Sequence, residues 1–328
     1  MIAFVVRRLL LAVLVLVALS AASYCFFQWQ LDPHSSPLPA YWDWVKGLWN
    51  GPSRYLVTRR PTPGRNFTLL GPTMLGALGH TLVLLGLTLA FVVAASVGIA
   101  LVAAARRGSS LDLLLRVLSY LAWAVPAFLL GLVVQSLVNR IGGSRGLGPF
   151  PIAGWPGQCP AAFGLNRGFF TPCANAGSGV DYVANVLRYT MLPALTLAAG
   201  FVGLHARHLR SALLEALDLP YVTTARAKGL PERHVLLRHA LRNSLVTFAA
   251  ALLGDTGAIF GAAMAVDYVF QLNGLGTVFI GLFPVDIGSV DPNLLAPVVL
   301  LTALLVIAAS FVADVAVLWL DPRVRARE

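Results

Sequence analysis

The sequence predicts an all-α integral membrane protein with six spanning helices and both termini on the cytoplasmic side. Three observations carry this. The 328 residues are 58% hydrophobic and only 12% charged, against about a quarter charged in an ordinary soluble domain. The apolar residues fall into long stretches nearly free of charge. The Lys and Arg residues collect in every second interval between those stretches. So apolar a chain cannot present a water-compatible surface, and disorder is excluded because disordered chains are polar and charge-rich.

A hydrocarbon layer about 30 Å thick needs roughly 20 helical residues. Leu9–Leu31 carries no formal charge and forms the first candidate. Its apolar run exceeds that of a signal-peptide core, and Tyr24 before Cys25 does not suit lipoprotein processing, so it reads as a retained helix (residues 1–31). Met74–Ala105 is the second span, Val117–Asn139 the third and Tyr189–Ala206 the fourth. Asn243–Val266 is interrupted only by Asp255, and Pro292–Leu320 only by Asp314.

Topology follows from the cations. With the N-terminus inside, the inner segments hold fifteen of the 24 Lys and Arg residues, from Arg7 and Arg8 through the cluster Arg207–Arg242 to Arg323, Arg325 and Arg327. The outer segments hold the other nine, and the last outer loop holds none. Cytoplasmic loops gather Lys and Arg, so this arrangement is favoured. The net charge of +10 is therefore a topology signal. Nucleic acid is not an expected partner, because no recognised binding pattern accompanies the charge.

Two outer regions are long. Residues 32–73 are rich in Pro, Gly and Arg, and within them Tyr41, Trp44, Val45, Leu48 and Trp49 recur at helical spacing. That spacing predicts a short helix, either at the lipid–water boundary or packed on the protein itself. Residues 140–181 contain Cys159 and Cys173. In an extracytoplasmic, oxidising compartment these could bridge, closing a loop of about 15 residues worth roughly 3 kcal/mol in the chain-entropy view. The alternative is two free thiols.

The most informative segment is the inner loop, residues 207–242. Asp218 is a candidate N-cap, Pro220 suits a first helical turn, Lys228 complements the helix dipole and Gly229 suits a left-handed exit. These signals predict a two- to three-turn helix, followed by a second, basic helix over Arg233–Ser244. A short cationic helix on the inner face could meet anionic lipid, or it could dock in a partner's groove with Tyr221 as anchor and small Ala225 and Ala227 allowing close approach.

The string Tyr221-x-x-x-Ala225-Arg226-Ala227-Lys228-Gly229-Leu230, followed by His239-Ala240-Leu241-Arg242-Asn243, closely resembles the cytoplasmic-loop signature of dipeptide/oligopeptide/nickel ABC importer permeases, in the first-permease branch. Arg207, Arg210, Ser211 and Glu215 before it also match. So do Gly261, Val266-Asp267-Tyr268-Val269-Phe270, Gly274-Leu275-Gly276, Asp314 and Asp321-Pro322-Arg323, as well as Pro126, Phe128 and Leu192-Pro193-Ala194. Departures are a lone Asp32-Pro33 where the family has Pro-Gly-Asp-Pro, and Asp267 where Glu is frequent.

The resemblance implies a type I ABC importer permease fold over residues 74–320, with a cytoplasmic tail at 321–328. It implies a bacterial plasma-membrane subunit forming half of a pathway for peptides. The partners would be a second homologous permease, two cytoplasmic ATPase subunits (or a fused pair), an extracytoplasmic substrate-binding protein and membrane lipid. Tyr221, Ala225, Arg226, Ala227, Lys228, Gly229 and Leu230 would couple to an ATPase. Nickel chelates, glutathione and short oligosaccharides are the alternative cargoes of related systems. From another class, an ion-coupled secondary transporter or channel also fits six spans.

No phosphate-binding Gly-x-x-x-x-Gly-Lys-Ser/Thr string occurs, so ATP and Mg are expected on partner subunits, with no cofactor, catalytic residue or metal site in this chain. His205 and His208, like His234 and His239, read as parts of a cationic inner face. Asp255 reads either as a polar wall of the pathway, meeting a peptide amino group, or as a structural acid bonded to a neighbouring helix. Asp314 reads as a structural acid near the inner boundary, and Gly254, Gly257 and Gly261 as sites of close helix packing.

Overall fold

The structure is a computed structural model that describes residues 2–31, 36–50, 70–142, 150–157, 177–281 and 299–312. Its regular elements are helices: α1 (Ile2–Leu31), α2 (Pro37–Asn50), α3 (Leu70–Ala105), α4 (Ser110–Ala124), α5 (Ala127–Gly142), α6 (Val180–Leu217), α7 (Pro220–Ala227), α8 (Glu232–His234), a π-helical segment (Val235–Ala240), α9 (Leu241–Gly254), α10 (Thr256–Phe270), α11 (Leu275–Gly281) and α12 (Val299–Val312). Cys159, Cys173, Asp314 and the tail lie outside the described residues.

Among the described residues two helices are long and apolar enough to cross a bilayer, Leu75–Ala105 and Val180–Leu217, and up to four if each bent pair is one span. The third expected span is such a pair. α4 and α5 meet at 96°, where the sequence had predicted one continuous helix. The break falls at Pro126: the residue before a proline is pushed out of the helical region, and Val125 is extended at φ −90°, ψ 121°. Pro193, by contrast, is absorbed within α6. The fifth expected span is bent by 52° where Asp255 separates α9 from α10. The first and last apolar segments appear as Leu10–Phe26 and Val299–Val312.

The chain divides into two compact units. One contains residues 85–136 and 193–262. Its core joins Val92, Ala100, Leu209, Leu213, Ala240, Phe248 and Ile259. α6 lies so close to α4 that a Cβ at Gly203 would collide with the Ser119 backbone. The outward faces of α4 and α5 carry Leu113, Val117, Leu121, Trp123, Leu129 and Val133, all exposed. Such a face is stable only in an apolar solvent.

The other unit contains residues 1–84, 137–192 and 263–308. Here α2 packs on α1 through Tyr41 and Trp44, whose rings meet Tyr24, and Ser20 Oγ lies 2.7 Å from the Tyr41 hydroxyl. Of the two expectations for this helix, packing on the protein describes its Tyr41/Trp44 face, while Leu38 and Trp42 stay exposed.

Further along, Gln271 and Asn273 take positive φ in a tight turn between α10 and α11. The fully buried Asp267 holds that turn. Its carboxylate accepts the Gly274 N–H at 3.0 Å, the Thr277 N–H at 3.0 Å and the Thr277 hydroxyl at 3.1 Å. The Leu275 N–H donates to Thr81 Oγ1 at 2.9 Å, and His80 stacks on Trp155 with its Nδ1 3.0 Å from the Leu272 carbonyl oxygen. Gly276 is required because a Cβ there would strike the Met264 backbone.

Removing the Asp267 carboxylate strands the buried N–H groups of Gly274 and Thr277, each costing about 1–3 kcal/mol, while the Thr277 hydroxyl keeps the Asp267 carbonyl at 3.3 Å. Asp267→Ala should therefore lower stability by about 2 kcal/mol or more, read as a fall in the thermal unfolding midpoint in detergent. An unchanged midpoint would show that the turn does not depend on it.

Candidate functional site

The inner loop is shorter than the charge pattern suggested, because α6 continues as helix to Leu217. His205 consequently sits within a packed helix rather than on a cationic face, and it is fully buried. α7 then begins with Pro220 in its first turn, as expected. Its N-cap is Leu219, without a side-chain bond, and not Asp218. Asp218 instead lies 3.9 Å from Arg107, with both side chains well exposed. At the other end the Lys228 N–H donates to the Thr224 carbonyl at 3.1 Å, the Leu230 N–H reaches the Ala225 carbonyl at 3.4 Å, and Gly229 takes φ +76°. This is the left-handed exit that the glycine predicted.

α7 has an inner and an outer side. Val222 and Ala225 are buried against Val235, with Leu217 and Leu230 packed alongside. Tyr221, Arg226, Ala227, Lys228 and Gly229 are exposed. Of the seven residues singled out in the sequence, five thus face outward. Ala225 faces inward, so its small side chain serves packing within the chain. Leu230 is half-buried in the same cluster.

Arg226 grips Glu232 through both carboxylate oxygens, Nη2–Oε1 at 2.6 Å and Nε–Oε2 at 3.1 Å. The guanidinium holds the Glu232 carboxyl below its usual range. The brace is therefore complete at neutral pH and loosens only as pH falls through that lowered value. Both partners are substantially exposed, so it contributes at most about 1 kcal/mol.

The expected basic helix over Arg233–Ser244 is present, but its middle is π-helical. The reason lies in the spacing of its buried residues. Val235 and Ala240 are both buried, five positions apart. On an α-helix five residues turn through about 500°, leaving the two about 140° apart. The wider π turn brings them nearer one face. From Ala240 onward Ser244, Phe248 and Leu252 continue the buried stripe at ordinary four-residue spacing.

Beneath this loop lies a buried ion pair that the sequence reading passed over. Arg210 Nε and Nη2 each reach the Asp112 carboxylate at 2.7 Å, and Asp112 is only 1% exposed. The Gly108 N–H donates to the same carboxylate at 3.1 Å, while Ser109 Oγ accepts the Asp112 N–H at 3.2 Å. The signal was present as Ser109-x-x-Asp112, a helix-start pattern with an acid at the third position. Nearby, the Arg207 guanidinium lies 4.0 Å from the Tyr120 ring centroid and donates to the Gly203 carbonyl at 3.1 Å.

Asp255 caps α9 at the bend. Its Oδ2 faces His205 Nε2 at 3.5 Å, and its side chain is 36% exposed. Among the described residues no three His, Cys, Asp or Glu side chains gather as metal ligands.

Helices apolar and long enough to cross a bilayer define a helical membrane protein. The family described as "Binding-protein-dependent transport system inner membrane component" matches residues 96–326, and the chain belongs to that family. It is similar to a protein of Brucella suis biovar 1 named as a peptide permease, 28% identical over 353 residues and 99% of both chains. It is also similar to the oligopeptide transport system permease protein AppB of Bacillus subtilis, 25% identical over 348 residues and 99% of both chains. To the oligopeptide permease OppB of Mycobacterium bovis it is 33% identical over 150 residues, 46% of this chain and 45% of that protein.

Breaking a buried pair from one side leaves an uncompensated charge. Asp112→Ala should cost about 3–5 kcal/mol in a denaturant titration. Asp112→Leu combined with Arg210→Leu should lose less than either single change; additive losses would mean that the two side chains do not act as a pair.

Proposed function

We propose that this chain is a permease subunit of an ATP-driven importer and forms half of the pathway that carries peptides across the bacterial plasma membrane. Relatives named as peptide and oligopeptide permeases that align over 99% of the chain support this reading. The outward face of α7 is the observation that carries the mechanism. In this reading six helices span the membrane, both termini lie in the cytoplasm, and residues 74–320 form the importer's transmembrane domain. A second homologous permease completes the pathway, two ATPase subunits sit beneath, and an extracytoplasmic binding protein delivers cargo. Nucleotide and Mg are bound by the ATPases, and this chain hydrolyses nothing itself.

α7 is then the coupling helix. Tyr221 is the anchor, Ala227 and Gly229 permit close approach, and Arg226 and Lys228 supply charge. Ala225 and Leu230 tie the helix to its own loop, so that force applied to the outer face is transmitted instead of being absorbed by a loose hinge. Val222, Ala225 and Val235 make that tie. ATPase closure biases the permease between its two conformations only by the difference in contact free energy that α7 makes in each.

A buried aromatic anchor at an interface is commonly worth about 2 kcal/mol or more. Tyr221→Ala should weaken ATPase co-purification about thirtyfold by the usual conversion. Cysteine placed at Ala227 should cross-link to the ATPase subunit with a yield that changes with nucleotide. Capture of no ATPase from a complex that still imports cargo would defeat the proposal.

A further inference from the structure

We infer that Asp255 is the acceptor for a cationic amine carried by the cargo, held ready by His205 on a polar face of α9 and α10. The inference rests on the importer reading above and names the chemistry of one point on its pathway.

The first observation is an incomplete pairing. Asp255 Oδ2 faces the His205 ring at 3.5 Å, and neither ring nitrogen of His205 has a hydrogen-bond partner among the described residues. His205 is fully buried and aimed at the carboxylate, whereas Asp255 is 36% exposed. Oδ1 makes no hydrogen bond or ion pair among the described residues. A carboxylate at this depth is costly unless something compensates it. One imidazole beyond hydrogen-bond range is not enough, and no second partner stands among the described residues, which leaves the open oxygen to a ligand.

The second observation concerns the surface around it. Asn243, Thr247 and Gly254 are exposed along one side of α9, and Ala258 and Gly261 follow on α10. A Cβ at Gly254 or Gly261 would meet nothing within 4 Å, so among the described residues no helix packs closely against these glycines. α4 and α5 expose Leu, Val and Trp. Small side chains let another backbone or a ligand come close, and this face differs in that from the bulky apolar one of α4 and α5. The face is built for water, cargo or protein.

The third is the kind of ligand the geometry admits. One carboxylate with one open oxygen and room in front suits a single compact positive charge. A metal ion would need a third side-chain ligand, and among the described residues none joins Asp255 and His205. Anions are repelled. A protonated amine fits, and peptides carry one at the N-terminus.

The test uses the assembled transporter in proteoliposomes with its binding protein. The first readout needs no cargo. Ala258, one turn beyond Asp255, is changed to Cys, and its modification by cationic and anionic methanethiosulfonates is followed by mass spectrometry of that site. The cationic reagent should react at least tenfold faster, and adding Asp255→Asn should cancel the preference. No modification in any nucleotide state would mean a sealed contact with the second permease and would overturn the inference. So would equal rates for both reagents.

The second readout compares a peptide with its N-acetylated twin, both delivered by the binding protein. Asp255→Asn should reduce uptake of the free-amine form at least tenfold more than uptake of the acetylated form, and Asp255→Glu should restore most of the difference. Equal losses would overturn the inference. If the unaltered transporter assembles but imports neither peptide, the peptide reading fails instead. The thiol-reagent preference then decides the cation site alone.

Discussion

Inside hydrocarbon no water is at hand for a stray peptide group, and a helix can be interrupted only where the chain supplies its own replacements. The interruptions in this protein obey that constraint. At Pro126 the missing donor is the proline's own, and α5 restarts at once with Leu130 N–H donating to the Pro126 carbonyl at 3.0 Å. At Asp255 the backbone stays nearly helical, since its N–H reaches the Ala251 carbonyl at 3.2 Å and its carbonyl accepts from Ile259 at 2.9 Å. Between α10 and α11 the turn is sharper, and side chains take over: Asp267 and Thr81 receive the N–H groups of Gly274, Leu275 and Thr277.

Much of this was legible in the sequence. Charge-free lengths located the apolar helices, because burial in lipid tolerates little else. Pro220 and Gly229 marked the ends of α7, because backbone φ at those positions is set by local sterics. Other features depended on residues far apart in the chain. Asp112 and Arg210 are 98 positions apart, and neither shows in isolation that it is the other's partner. Asp267 belonged to a recognisable string, but its task became visible only with Thr277 and Gly274 folded around it. Ala225 looked available for a partner because small residues suit close contact. Val222 and Val235 claimed it first. His205 looked like one more cation beside Arg207, until α6 proved to run on for three further turns.

The two charged pairs near the inner loop differ in character. Asp112–Arg210 is buried and bidentate, and it fixes the start of α4 to α6. Arg226–Glu232 is exposed and fixes α7 to α8. The first sets a rigid base. The second holds a small helix in shape while its outer face stays free of the rest of the described chain.

The π-helical segment has a consequence for aim. It accommodates one residue more per turn than the helix that follows. Without that surplus, everything before Val235 would be swung by about 100° and drawn in by about 1.5 Å relative to α9. Tyr221 and Lys228 would then point in a different direction. The extra residue acts as a shim, setting the angular phase between α7 and α9. An insertion or deletion of a single amino acid here is therefore a mis-timing of the whole linkage, even where every contact along α9 survives.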